Sequence, residues 1–191
     1  MSSTASVCVF LLWMIVHDNH CLRIIPERTD IVYYNKTYIE DTPTFNVRRS
    51  ARKGDYVVNL KFETKVTFGN EVLVDIVFYQ FLNNEFKRSF PEMHSKLCDL
   101  INDDPYIGDS VREAGLKTCP IVPVSIYGSI LKWYGKYALM NIGFNRMIPS
   151  VWPFEKGMVE FTIRLDDPKA IIGKGQLITT FREDRPKKKH E

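Results

Sequence analysis

The sharpest hydrophobic pattern in the chain lies between Tyr56 and Phe68. Val58, Leu60, Phe62, Val66 and Phe68 fall on one side of an extended segment, and Asn59, Lys61, Glu63, Lys65 and Thr67 fall on the other. A period of two marks a strand with one buried face and one wet face. Gly69-Asn70 then predicts a tight hairpin, because glycine accepts positive φ at the first central position. The return strand, Glu71 to Leu82, is apolar on both sides: Val72, Val74, Ile76 and Phe78 on one, Leu73, Val77, Tyr79 and Phe81 on the other. Such a strand is expected to be covered twice, by the core and by a following helix.

Ser89-Phe90-Pro91-Glu92 reads as the start of that helix, a capping box with proline in the first turn. Phe90, Met93, Leu97, Leu100 and Ile101 repeat at helical spacing, and Asp103-Asp104-Pro105 ends the run. On this reading Ser89→Ala costs about 0.5–2 kcal/mol. A second helical turn is expected from Asp109 to Ala114, closed by Gly115. Further strands are expected at Asp30 to Glu40, Ile121 to Tyr134, Lys136 to Arg146, Gly157 to Asp166 and Lys174 to Arg182, with a loop over Asp41 to Asp55. About seven or eight strands with one helical insertion around 89–115 predict a mostly β, immunoglobulin-like two-sheet sandwich.

The N-terminus adds a compartment. Val7 to Val16 is an uninterrupted apolar run of 10 residues followed by polar HDNHC. That length suits a signal-peptide core and falls short of the roughly 20 residues a spanning helix needs. No Lys or Arg precedes the run and no A-x-A site follows it; the best cut is after Cys21. The expected organisation is a signal peptide at 1–21, one sandwich domain at 22–184 and a basic disordered tail at 185–191. The alternative for the apolar run is a buried first strand. After cleavage Cys98 and Cys119 remain as a pair, and an oxidising compartment makes a disulfide between them the default. Closing that loop would contribute roughly 3 kcal/mol. The alternative is two buried thiols in a reducing compartment. Asn35-Lys36-Thr37 is the one acceptable N-glycosylation triplet.

Composition excludes several classes. Hydrophobic residues make up 45% and charged residues 26%, the balance of a folded chain, and a net charge of +3 is too small to imply nucleic acid. Arg48, Arg49, Arg52 and Lys53 form a basic loop cluster. After cleavage only His94 and His190 remain of the histidines, too few to build a zinc site or a persuasive triad. No G-x-S-x-G, P-loop or G-x-G-x-x-G is present, so neither catalysis nor a cofactor is expected. Gly173-Lys174-Gly175 reads as a bend or bulge in a strand.

Aromatic residues concentrate late in the chain. Tyr127, Trp133, Phe144, Trp152, Phe154 and Phe161, with Phe78 and Ile163, are the candidate walls of an apolar cup, and Trp152 beside Pro153 is the candidate mouth. The plain alternative is that they fill the core, since a sandwich whose faces meet fully is close-packed and dry.

Leu97-Cys98-Asp99-Leu100 and Thr118-Cys119-Pro120-Ile121 also carry a resemblance. With Pro149, the Phe154-Glu155-Lys156-Gly157 turn and the strands MVEFTIRL and GQLITTF, the stretch from about Tyr56 to Phe181 resembles an insect secreted family that includes the CheB chemosensory proteins. These are similar in fold to the ganglioside activator and the wider ML lipid-recognition sandwiches. The resemblance implies a non-catalytic β-cup for a lipid or pheromone-like ligand, acting at a membrane receptor or membrane surface. Ganglioside-activator relatives generally carry several disulfides, whereas this mature chain has cysteines for one. Carrier, secreted protein-interaction module and lipid-presenting enzyme cofactor all remain open. For a carrier, the Arg48 to Lys53 loop is expected to meet an anionic headgroup.

Overall fold

A computed structural model describes residues 21–52, 54–105, 107–122, 136–143 and 155–184. Along the chain run β1 (Cys21–Tyr34), β2 (Thr44–Arg49), β3 (Tyr56–Glu63), β4 (Val72–Leu82), β5 (Glu85–Lys96), α1 (Leu97–Asp103), α2 (Ile107–Glu113), β6 (Lys136–Ile142), β7 (Lys156–Leu165) and β8 (Ala170–Asp184). The strands form two antiparallel sheets, in the orders β1-β8-β7-β4-β5 and β2-β3-β6. This is the mostly β sandwich the periodicity predicts, with a short helical insertion.

Val72, Val74 and Ile76 of β4, Val159 of β7 and Ile172 and Leu177 of β8 pack from the larger sheet, and Val58, Leu139 and Ile142 pack from the smaller one. Burying each such side chain is worth about 1.5–3 kcal/mol. Leu97, Leu100 and Ile101 of α1 and Leu116 after α2 join the same core. Strand direction sorts the connections into two ends. The helices and the turns at 35–39 and 166–169 gather at one end, and the β2–β3 and β4–β5 hairpins lie at the other.

Several expectations are corrected. Gly69-Asn70 makes no hairpin, because β3 and β4 belong to different sheets. The chain leaves β3 after Glu63 and crosses between the sheets. Phe68 fastens the crossing: it is buried, and it exchanges backbone hydrogen bonds with Ile121 at 2.7 and 2.8 Å. Asn70 instead serves the helix. Its Oδ1 accepts the Cys98 N–H at 3.1 Å, and its amide donates to Asp99 at 2.9 Å. The true β4 hairpin turns at Asn83-Asn84, both with positive φ (52° and 64°), a conformation asparagine tolerates.

Ser89 does not cap a helix either. Residues 85–96 form β5, paired along β4 and bulged around Phe90, which is 82% exposed. Pairing there satisfies the backbone of β4 along a whole edge, and Pro91 is tolerated because β5 is itself an edge strand. The helix starts at Leu97, and Lys96 before it offers no side-chain cap; the crossing loop supplies the cap through Asn70. Among the described residues no helix covers the outer face of β4. Its Asp75 and Tyr79 bond to neighbouring side chains there, and the Phe81 ring lies 5.0 Å from that of Phe86, tilted by 56°. The expected loop over Asp41 to Asp55 contains an edge strand, β2, and β1 begins at Cys21 rather than Asp30. Residues 1–20 of the expected signal peptide, the basic tail and most of the expected strand from Ile121 to Tyr134 lie outside the described residues, and Cys21, the last residue before the expected cut, opens β1.

Cys98 and Cys119 are joined in a disulfide with Cα atoms 5.3 Å apart. It ties the first turn of α1 to the segment that pairs with Phe68. Among the described residues no helix is long and apolar enough to cross a membrane.

Two stability outcomes follow on chemical denaturation. Ser89→Ala should change stability by no more than about 0.5 kcal/mol, whereas Asn70→Ala should cost about 1 kcal/mol. Equal effects would contradict this helix start. Replacing both Cys98 and Cys119 by alanine should cost about 3 kcal/mol, and no loss would mean that the loop is not closed in solution.

Candidate ligand-binding cavity

Among the described residues five strands face three, and part of the larger sheet's inner face lines a cavity. The two helices close the helix end, and between them and the sheets lies a cavity of about 250 Å³. Val74, Ile76, Phe161, Ile163 and Ile172 line it from the larger sheet, and Phe45, Val58, Leu60, Phe62 and Leu139 from the smaller one. Leu97, Leu100, Ile101, Ile107 and Val111 line it from the helices, and exposed Tyr33 forms a rim with Tyr34 and Pro43 on the β1–β2 side.

Gly173 and Gly175 make part of the room. They sit on β8 opposite Ile163 and Phe161, where a side chain would project inward. A Cβ on Gly175 would meet the Asp30 carbonyl and the Phe45 ring at 3.6 Å, ordinary contact distance, so a modest side chain fits. Register shifts lie beside both glycines, between Ile31 and Tyr33 and between Ile163 and Arg164. The bend or bulge predicted for Gly-Lys-Gly is thus present, and it also opens the cavity. Phe45 meets Phe161 edge-on at 6.5 Å across the gap between sheets.

Polar groups near the cavity are engaged elsewhere. Tyr34 Oη shares a hydrogen bond with Thr42 Oγ1 at 3.2 Å, and Thr29 Oγ1 donates to the Phe45 carbonyl at 2.8 Å. Lys174 forms wall between the two glycines, but its ammonium lies 2.9 Å from Glu160 Oε1. Glu160 also accepts from Gln176 Nε2 at 2.9 Å and from Tyr79. Burial pushes Glu160 up, and the Gln176, Lys174 and Tyr79 bonds together outweigh it, leaving the carboxyl below its ordinary range.

A second polar group occupies the outer face of the larger sheet. His94 stands opposite Asp75 on β5, not on a helix, with Nδ1 2.6 Å from Asp75 Oδ1. Arg164 Nε donates to Asp75 Oδ2 at 2.6 Å. Burial pushes Asp75 up, but the Arg164 and His94 bonds outweigh it and hold the carboxyl low; the Asp75 bond raises His94. The other His94 nitrogen faces Glu92 at 3.8 Å. Both ring nitrogens therefore face carboxylates, which favours an imidazolium over a base poised beside a nucleophile. Among the described residues no group of three His, Cys, Asp or Glu side chains could hold a metal.

Of the residues proposed from sequence, Phe161 and Ile163 line the cavity. Phe78 lies further along the same face of β4 and packs on the core without reaching the cavity. Tyr127, Trp133, Phe144, Trp152 and Phe154 lie outside the described residues. Asn35 sits in the turn after β1, where its Oδ1 accepts the Thr37 N–H at 2.9 Å. The basic cluster is placed away from the mouth, at the hairpin end of the sandwich. Arg48 donates to Asn141 Oδ1 at 2.9 Å and Arg49 lies 4.8 Å over the Tyr56 ring. Lys53 lies outside the described residues, and no described residue from 46 to 57 lines the cavity, so Arg48, Arg49 and Arg52 are not positioned to meet a headgroup there. Sequence reasoning missed Phe45, the α1–α2 lining and the two glycines. Gly173 and Gly175, two positions apart on a strand, were the available signal.

Because its folded pKa is raised, His94 contributes stability that is complete below the ordinary histidine pKa and is lost as pH rises through the raised value. NMR titration should place His94 above about 6.5, and Asp75→Asn should bring it back down. An unshifted His94 would contradict the pair. Asp75 and Glu160 act in the opposite sense: their contribution is present above the ordinary carboxylate range and is lost as pH falls through their lowered values.

No known family model matches the chain, and no curated protein matches it in sequence.

Proposed function

We propose that this chain is a secreted, non-catalytic carrier of a hydrophobic small molecule held between the two sheets. The cavity carries the proposal. The walls are apolar and open to solvent on one side, so a guest that packs against them removes apolar surface from water and stabilises the fold by mass action. Each methylene transferred from water adds up to roughly 0.8 kcal/mol before association costs, enough for micromolar binding of a modest chain. The Cys98–Cys119 disulfide fits an oxidising compartment. The resemblance to the CheB-like family supports a lipid or pheromone-like ligand and a chemosensory setting.

One observation favours a secreted interaction module as the second reading. Phe90, Leu82 and Phe81 are exposed on the β4–β5 hairpin. They lie away from the cavity and would suit a protein partner.

The test is saturable binding of a neutral environment-sensitive dye, N-phenyl-1-naphthylamine, to delipidated full-length protein. Wild type should bind in the micromolar range. Ile163→Trp and Gly175→Val, which fill the cavity from adjacent strands, should each weaken binding by about tenfold or more while unfolding cooperatively. Absence of saturable binding by wild type would overturn the carrier reading in favour of the hairpin surface.

A further inference from the structure

The chemistry of the cavity wall narrows the ligand. We infer that the guest is uncharged: a neutral apolar molecule on the order of ten carbons, with at most one polar group held at the rim. The inference rests on the carrier reading.

Size sets the first limit. An apolar protein cavity of about 150 Å³ accepts benzene, with its six carbons. In proportion, 250 Å³ holds roughly ten. A long membrane lipid would leave much of its length outside.

Charge sets the second. Lys174 is the one cationic residue among the described lining, and its ammonium is committed to Glu160 on the outer face. The basic cluster at Arg48, Arg49 and Arg52 belongs to the opposite end of the sandwich and contributes no wall. A carboxylate drawn inside would find no other cation among the described lining, and Lys65 and Lys136, on segments beside the rim, are already paired with Glu40 and with Asp41 and Glu63. An ion in that position neutralises itself or stays out, because burying it unpaired outweighs what its chain gains. A hydroxyl, ester or carbonyl has an easier place. The Tyr34–Thr42 hydroxyl pair at the rim has spare lone pairs and an adjustable proton, so it can accept one more neutral hydrogen-bonding group.

The experiment displaces N-phenyl-1-naphthylamine from delipidated full-length protein with decanol, methyl decanoate and decanoate, at pH 7 and pH 4. The inference predicts that decanol and methyl decanoate displace the dye. At pH 7 decanoate should be weaker than decanol by at least about tenfold, and it should recover at pH 4, where it is largely protonated. Methyl decanoate, which does not titrate, reports any pH response of the protein itself. Lengthening the alcohol beyond about twelve carbons should bring no further gain. Lys174→Met should not weaken decanoate selectively, relative to decanol and methyl decanoate. Decanoate as tight as decanol at pH 7, or weakened selectively by Lys174→Met, would overturn the uncharged-ligand inference and leave the carrier reading standing. Dye binding that no ten-carbon compound displaces would overturn the size. No binding of dye or ligand would overturn the carrier reading itself.

Discussion

Among the described residues the structure depends on a mismatch of width: a five-stranded sheet buries its inner face beneath a sheet of three. Exposed backbone is not the difficulty, since the ladders pair strand with strand. The difficulty is apolar surface on β4, β7 and β8 that β2, β3 and β6 do not reach. The chain covers part of it by sending α1 and α2 across the helix end, where Leu97, Leu100 and Ile101 pack inward. The Cys98–Cys119 disulfide and the Phe68–Ile121 pairing hold that cover in place. What the cover does not fill is the cavity.

The same constraint explains the placement of charge. With the inner face apolar, ion pairs of the larger sheet lie outside, as Asp75–Arg164–His94 and Glu160–Lys174 do. Lys174 shows the division within one strand. Gly173 and Gly175 give up their side chains to the cavity, and the lysine between them points its charge through the opposite face. A strand's period of two separates a hydrocarbon interior from a polar exterior without a loop or a helix.

Much of this was legible in the residues. Val58, Leu60 and Phe62 share the expected face and line the cavity, but the strand stops at Glu63, Val66 is exposed, and Asn59, expected in water, is buried with Val57. Phe161 and Ile163 were legible as walls from the concentration of aromatic and large aliphatic residues late in the chain. β5 was not legible for a physical reason. Its alternating exposure puts Ser89, Pro91, Met93 and Ser95 on the less exposed side, mostly small or polar residues, while Phe90 stands in water. Phe90, Met93 and Leu97 then mimic a helical stripe. Gly69-Asn70 misled because a crossing between sheets and a hairpin ask for the same kinds of residue. The α1–α2 lining was not legible, since nothing local distinguishes a leucine packed on a neighbour from one facing a void.

The central claim is that the space between the sheets belongs to a guest. Native mass spectrometry of full-length protein purified from a eukaryotic secretory host tests it most directly. The account predicts wild type carrying a small neutral adduct that organic extraction removes and added decanol replaces, with Ile163→Trp folded and bare. Wild-type protein that stays at its bare mass, even after incubation with decanol, would contradict it.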